Sequence, residues 1–128
     1  MLKYVCILFV ISCSNCKSKD TLNTQLIIGK WAMLKVYEYE TDQSLKHNPN
    51  QNRWIQFNKD GTFLSDGDPF GKNTGRWKLD NKDSQLLIDS EVDDDDSEWK
   101  INFKKDTLIW TGIGHPRKEN TRIEYLRF

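Results

Sequence analysis

Apolar and polar residues alternate along most of the chain from residue 26 onward. Residues 98–103 (EWKINF) alternate without a fault, and residues 75–80 (GRWKLD) alternate small or apolar side chains with polar ones. Weaker forms of the same period occur at residues 55–57, 86–88, 108–110 and 123–125. Because successive side chains of a strand point to opposite faces, this pattern predicts strands with one buried face and one solvated face.

The pattern predicts eight strands and no long helix. Residues 27–39 are apolar on both parities, which predicts a bulge or bend within the first strand, and residues 21–27 are compatible with a single helical turn. The predicted strands are residues 27–40, 52–57, 62–66, 74–80, 85–89, 97–103, 107–112 and 120–127.

The connections between these strands alternate between short and long. Three are tight turns, at residues 58–61, 81–84 and 104–106, and four are longer loops, at residues 41–51, 67–73, 90–96 and 113–119. In an up-and-down order, successive connections fall at opposite ends, so one end is predicted to be closed by hairpins and the other to carry the long loops. Eight strands with one apolar face need closure or a second layer to protect their edges. We therefore predict an all-β fold, an eight-stranded antiparallel up-and-down barrel, over a simple meander sheet.

The first twelve residues, MLKYVCILFVIS, do not belong to this pattern. Lys3 precedes an apolar run of eight residues, 4–11, far shorter than the roughly 20 residues of a membrane-spanning helix. The charge and the length are typical of a cleaved export signal. We expect residues 1–12 to be removed as a signal peptide, residues 13–25 to form a polar tether, and residues 26–128 to form the barrel domain.

The residues at the end of this signal, Val10-Ile11-Ser12-Cys13, resemble the lipobox of bacterial lipoproteins. The resemblance implies that Cys13 is lipidated, with palmitate among the attached acyl chains, and that it becomes the first residue of the mature protein. The chain would then be anchored in the cell envelope, at the outer membrane, on its periplasmic or its surface face. An ordinary secretory signal that happens to contain a cysteine is the alternative.

A second resemblance concerns the barrel itself. Gly29-Lys30-Trp31 is similar to the signature that opens the first strand of lipocalins, in which the tryptophan closes the barrel floor. Residues 57–63 (FNKDGTF) and 75–79 (GRWKL) resemble the second to fourth strands of short lipocalin-like domains found in bacterial lipoproteins, and residues 125–128 suit a last strand that pairs with the first. The resemblance covers residues 26–128 and implies a lipocalin-like barrel with Trp31 at its floor.

Charge and cysteine content exclude some classes of protein. The chain has 19 basic and 19 acidic residues, and because Lys3 would leave with the signal, the mature chain lacks the basic excess typical of nucleic-acid binders. With Cys6 removed and Cys13 acylated, Cys16 would be the remaining cysteine, so no internal disulfide is expected. We expect a monomer that binds no nucleic acid.

No pattern of catalytic residues is visible, so we predict neither an enzyme nor a cofactor. The sequence has no HExxH, no paired CxxC and no glycine-rich phosphate loop. The loop order places His47, His115 and residues 93–96 (DDDD) at the same end, where a divalent metal is conceivable. The acidic run lacks the spacing and the glycine of a calcium loop. A solvated turn is the preferred interpretation, and no metal site is predicted.

The aromatic residues are the candidates for binding. They either line a pocket for an apolar ligand or fill the barrel. The interior of an eight-stranded barrel is just wide enough for side chains or for one small ligand. A packed interior is the preferred interpretation. The candidates are Phe70 on a long loop and, on the strands, Trp77, Trp99, Phe103, Trp110 and Tyr125. Two functions remain open: binding of a small hydrophobic molecule, or an inhibitor or assembly module whose long loops contact another envelope protein.

Overall fold

A computed structural model of the protein describes residues 24–80, 82–92 and 96–128. The predicted signal, Cys13, Cys16 and residues 93–95 of the acidic run lie outside the described residues.

The described residues form strands joined by turns and two short helices. Residues 24–27 are also helical, within the segment compatible with a helical turn. The strands are β1 (Gly29–Glu38), β2 (Thr41–Asp42), β3 (Trp54–Phe57), β4 (Thr62–Asp66), β5 (Asn73–Asp80), β6 (Gln85–Ser90), β7 (Ser97–Lys104), β8 (Thr107–Gly112) and β9 (Thr121–Arg127). The helices are α1 (Ser44–His47) and α2 (Pro116–Glu119).

The strands make one antiparallel sheet that closes on itself. From β3 to β9 each strand pairs with the next in sequence, and β1 pairs with both β3 and β9. The short β2 pairs only with β1, at Tyr37 and Glu38, and stands outside the closed set. The predicted eight-stranded up-and-down barrel is therefore confirmed, and the loop predicted at residues 41–51 also contains β2 and α1.

The predicted irregularity in the first strand lies near its middle. The register between β1 and β9 shifts between Met33 and Lys35, so that Leu34 is the extra residue of a β-bulge. Leu34 is 48% exposed, while Met33 and Val36 on either side of it are buried. The bulge explains why residues 27–39 are apolar on both parities, since it changes which parity faces the interior.

The end of the barrel that carries the short turns, called the base below, is closed by packed side chains. Trp31 is 1% exposed, and its indole Nε1–H donates to the carbonyl oxygen of Ile27 at 2.8 Å. The guanidinium of Arg127, from the strand that closes the barrel, lies 4.1 Å from the centre of the Trp31 ring. Gly29 has a φ of +125°, and a Cβ there would lie 3.2 Å from Arg127 Nη1. The predicted position of Trp31 at the floor is confirmed.

Two further aromatic residues complete the base. The Phe103 ring lies 6.2 Å from that of Trp31, and the Trp77 ring meets Phe57 edge-on at 5.4 Å. The Trp77 indole N–H donates to the carbonyl oxygen of Asn58 in the turn between β3 and β4, at 3.0 Å.

In the described ranges, no helix is long and apolar enough to cross a membrane.

Candidate functional site: a cavity at the barrel mouth

The opposite end of the barrel, called the mouth below, is hollow. A cavity of about 610 Å³ lies inside the strands and reaches three of the four long connections, which contribute His47, Phe70 and Val92 to its lining. Thr121, the first residue of β9, also lines it. Its wall combines apolar side chains with polar ones. The apolar residues include Met33, Ile55, Phe63, Ile88, Trp99 and Trp110, and the polar ones include Ser65, Asp66, Asn73 and Ser97. The preferred interpretation of a fully packed interior therefore holds for the base but not for the mouth.

The candidate binding residues separate between these two halves. Phe70, Trp99, Trp110 and Tyr125 line the cavity. In contrast, Trp77 and Phe103 pack against the core of the base and are not part of the described cavity lining. Phe70 is 68% exposed on the connection between β4 and β5, so it lies at the rim of the cavity.

Trp110 joins the cavity wall to the packed core. Its ring centre lies 4.6 Å from that of Tyr125, 5.5 Å from that of Trp99 and 6.0 Å from that of Phe57. The indole N–H of Trp110 is buried and has no hydrogen-bond acceptor among the described residues. A buried donor without an acceptor costs about 1–3 kcal/mol. The Trp110 N–H is therefore a hydrogen-bond donor on the cavity wall that no described protein group uses.

Arg53 is the lining residue that sequence patterning missed. Ile55 and Phe57 are buried on the interior face of β3, and the period of two places Arg53 on the same face. Its guanidinium carbon lies 4.7 Å from the centre of the Phe70 ring, and its Nη1–H donates to the carbonyl oxygen of His47 at 3.0 Å. The parity that identified Ile55 and Phe57 could have identified Arg53, but a charged residue next to the start of the predicted strand 52–57 is typical of a solvated strand end.

The buried side chain of Asn48 holds the backbone around Arg53. Asn48 is 5% exposed, and its Oδ1 accepts from the backbone N–H groups of Asn52 and Arg53, each at 3.1 Å. Its Nδ2–H donates to the carbonyl oxygen of Met33 at 3.0 Å. Because all three partners are backbone groups, this one amide determines how the chain enters β3.

The loop that carries Phe70 is attached to the same segment. Asn50 and Asn52 donate to Asp68 Oδ2 at 2.9 and 3.0 Å, and these hydrogen bonds lower the pKa of the Asp68 carboxyl group. Gly67 lies directly against the backbone of Arg53, where a Cβ would approach Arg53 Cα to 2.5 Å. Its φ of +117° also favours glycine. The position of Phe70 over Arg53 therefore follows from several local contacts.

Two acidic residues of the cavity lining, Glu38 and Asp66, have hydrogen-bond partners within the protein. His47 Nε2 and Glu38 Oε1 share a hydrogen bond of 2.5 Å, and Lys46 Nζ lies 3.9 Å from Glu38 Oε2. Asp66, at the end of β4, also lines the cavity, and its Oδ1 accepts from the N–H of Gly67. These carboxylates therefore have partners of their own.

Tyr125 is a buried polar residue of the cavity wall. Burial raises the pKa of its phenol, and the positive charge of Arg53 acts in the opposite direction. Tyr125 pairs with Met33 across β9 and β1, and the N–H of Met33 donates to the carbonyl oxygen of Arg53. Arg53 and Tyr125 thus flank Met33 on adjacent strands and face the same interior.

Comparison with known proteins agrees with this geometry. A family described as a C-terminal lipocalin-like domain matches residues 14–120. The chain belongs to this lipocalin-like family. The lipocalin-like barrel is also similar to the crystal structure of a DUF4847 family protein from Bacteroides vulgatus, with a TM-score of 0.55 and 17% sequence identity over 82% of this chain and 96% of that chain. A comparison with curated proteins finds no match.

The two histidines of the lipocalin-like domain have different surroundings. His47 lines the cavity, whereas His115 is exposed and its Nδ1 accepts from the N–H of Arg117 at the start of α2. Asp96 Oδ1, at the end of the acidic run, accepts from the N–H of Ser90. Within residues 24–80, 82–92 and 96–128, no three His, Cys, Asp or Glu residues form a group that could hold a metal ion.

Proposed function

We propose that this lipocalin-like protein is a non-catalytic binding protein that holds a small, largely apolar molecule in the mouth of its barrel. The observation that carries the proposal is the cavity of about 610 Å³, whose lining combines aromatic and aliphatic side chains with several polar ones. Ligand pockets typically measure about 300–1,000 Å³ and combine an apolar lining with a few polar groups. The closed base supports the same proposal, because it leaves the mouth as the route of entry.

A cavity-filling substitution tests this function without removing core packing. Ser65 lines the cavity and is half-buried on β4, so Ser65→Phe adds a ring to the space that a ligand would occupy. Leu64→Phe, on the outer face of the same strand, is the matched control. Calorimetric titration with decan-1-ol should detect binding to the wild type and to Leu64→Phe, and a loss of at least tenfold in affinity for Ser65→Phe. Absence of binding to the wild type, or equal binding to both variants, would contradict the proposal.

Membrane anchoring is the second part of the proposed function. Acylation of Cys13 would attach the lipid on the side of the base, where β1 begins. With the lipid attached on this side, we expect the domain to lie near the bilayer and the mouth to face away from it. We propose a cell-envelope location for a chain attached in this way and expect the membrane to be the outer one.

Labelling with palmitate in a bacterial host tests the anchor. The wild type should incorporate label and sediment with membranes, and Cys13→Ser should lose both properties. Cys16→Ser, three residues further along the tether, is the control and should behave as the wild type. Membrane association that persists in Cys13→Ser would show that the lipid is not attached at this residue.

Binding of an envelope protein at the mouth is the second candidate function. The observation that favours it is the exposure of apolar side chains on the mouth connections: Tyr39, Leu45, Phe70 and Val92. A photo-crosslinking amino acid at position 70 should capture a defined partner, and one at position 59, in a base turn, should not. The reverse result would exclude the mouth as the interface.

A further inference from the structure

Tyr125 brings a hydrogen-bond donor to the wall of the cavity. Ile123 and Tyr125 are the buried positions of β9, and both line the cavity. The Tyr125 side chain is 5% exposed, and its hydroxyl has no hydrogen-bond partner among residues 24–80, 82–92 and 96–128. Buried polar groups in folded proteins nearly always have a partner. The hydroxyl is therefore available to a molecule that enters the cavity.

The neighbouring Trp110 is a second donor without a partner. It lies on β8, which pairs with β9, and its ring centre is 4.6 Å from that of Tyr125. No described residue accepts from its indole N–H. An indole N–H can only donate, whereas a phenol can donate or accept. Two adjacent donors without acceptors favour a ligand that brings an acceptor to this wall.

The surroundings of Tyr125 favour an acceptor that carries no charge. Burial raises the pKa of its phenol, although the positive charge of Arg53 acts in the opposite direction. The cost of burying a negative charge here therefore exceeds the gain from the nearby positive charge, and the same holds for a carboxylate that a ligand would bring to this position. The described lining is also balanced, since Glu38 and Asp66 are matched by Arg53 and Lys72.

We propose that the ligand carries an uncharged carbonyl oxygen, as in a ketone or an ester, on an apolar chain, and that this oxygen accepts a hydrogen bond from the Tyr125 hydroxyl. The apolar chain packs against Ile88 and Trp99, which line the cavity from β6 and β7. This inference rests on the proposed binding function of the cavity and specifies the chemical class of its ligand.

Ligands with the same chain length and different head groups test the class of ligand. The protein is the full chain with Cys13→Ser, which needs no detergent that would compete for the cavity. Calorimetric titration at pH 7.5 compares decan-2-one and decanoate with decan-1-ol, the probe of the proposed function. Decan-2-one should bind about fivefold or more tightly than decanoate, because the carboxylate loses its hydration on entering the cavity.

Tyr125→Phe removes the hydroxyl alone and assigns the hydrogen bond to this residue. It should weaken the binding of decan-2-one about fivefold, as expected for one hydrogen bond. Without ligand its melting temperature at pH 7.5 should not fall, because the hydroxyl has no protein partner to lose. Tyr37→Phe is the matched control and should bind as the wild type, since Tyr37 is outside the described lining and its ring packs against Arg122.

Infrared spectroscopy of the bound ketone gives a second measurement that needs no stable variant. A hydrogen bond to a carbonyl oxygen lowers its stretching frequency. The frequency of decan-2-one bound to the wild type should therefore be lower than that of the same ketone in hexane, and it should rise toward the hexane value in Tyr125→Phe.

The possible contradictions are distinguishable. Binding of decanoate as tight as that of decan-2-one, or binding of decan-1-ol without binding of the ketone, overturns the uncharged carbonyl while the proposed binding function stands. Equal binding of decan-2-one to the wild type and Tyr125→Phe, an equal loss in Tyr37→Phe, or a carbonyl frequency equal to that in hexane overturns the assignment to Tyr125. Failure of all three compounds to bind overturns the proposed function and the inference together.

Discussion

The same strands form a packed interior at the base of this barrel and a cavity at its mouth. At the base, Trp31 packs against Phe103 and Phe57 against Trp77, and Ile27, from the helical segment before β1, is buried in the same core. At the mouth, the same strands enclose a cavity of about 610 Å³. Because the alternation of buried and exposed positions is alike in both halves, periodicity does not explain the difference. What differs is which side chains meet across the barrel and what closes its end.

The connections between strands also differ between the base and the mouth. The base turns are compact, as in residues 58–61, where the Gly61 N–H donates to the Asn58 carbonyl oxygen. The mouth connections are longer and are ordered by side chains, chiefly Asn48 and Asp68. A closed end thus depends on side-chain packing, and an open end depends on polar contacts between loops. This comparison predicts that equivalent substitutions at the two ends have unequal effects.

The largest expected difference is between two aromatic residues. Truncation of a buried tryptophan costs about 3–5 kcal/mol, so Trp31→Ala should lower the melting temperature by about 15 °C or more. Phe70→Ala, at the exposed rim, should lower the free energy of unfolding by less than about 1 kcal/mol, mainly through loss of its contact with Arg53. Thermal unfolding followed by circular dichroism measures both. Similar losses in the two variants would mean that the base is not the more tightly packed end.

The location of Trp31 shows how much of the fold could be predicted from the sequence. Alternation within residues 98–103 and the sorting of short and long connections determine the strands and the two ends. The GKW motif at Gly29 then places Trp31 at the floor by resemblance. Patterning does not show that the interior is packed in one half and hollow in the other, because that depends on side-chain volumes summed across strands that are distant in sequence.

The next difference is between two asparagines. Asn48→Ala removes a buried amide and leaves three backbone groups without their partner, which we expect to cost about 2–3 kcal/mol. Asn58→Ala, at the half-buried base turn, removes side-chain hydrogen bonds to Thr62 and Gln56 and should cost about 1 kcal/mol. Urea unfolding measures both values.

Binding adds a second measurement for the same pair. Because Asn48 holds the backbone of the cavity wall at Arg53, Asn48→Ala should also weaken the binding of decan-1-ol, whereas Asn58→Ala should leave it unchanged. Unchanged binding in Asn48→Ala would show that the cavity does not depend on this amide.

The candidate site was less predictable than the fold, and Arg53 and Asn48 show why. Asn48 reads as an ordinary loop residue in HNPNQN, and nothing local indicates that its amide is buried. The role of Arg53 depends on Met33 and Tyr125, which are separated from it by 20 residues or more. Aromatic content identified Phe70, Trp99, Trp110 and Tyr125 of the lining, but it also included Trp77 and Phe103, because patterning does not distinguish the two ends of a strand.

The smallest expected difference concerns pH, because the mouth half buries a titratable tyrosine while the aromatic residues of the base do not titrate. Burial raises the pKa of Tyr125 above its ordinary value of about 10. Its contribution to stability is therefore fully present below pH 10 and is lost as the pH rises toward the higher pKa of the folded state, by at most about 1.4 kcal/mol per pH unit. Urea unfolding of the wild type and Tyr125→Phe should show a difference in free energy of unfolding that is constant between pH 7 and 9 and shifts in favour of Tyr125→Phe above pH 10. The other titrating groups are common to both proteins, so the difference isolates this phenol. Parallel losses above pH 10 would mean that the phenol ionises as readily in the folded protein as in the unfolded chain, and that water reaches the cavity wall at Tyr125.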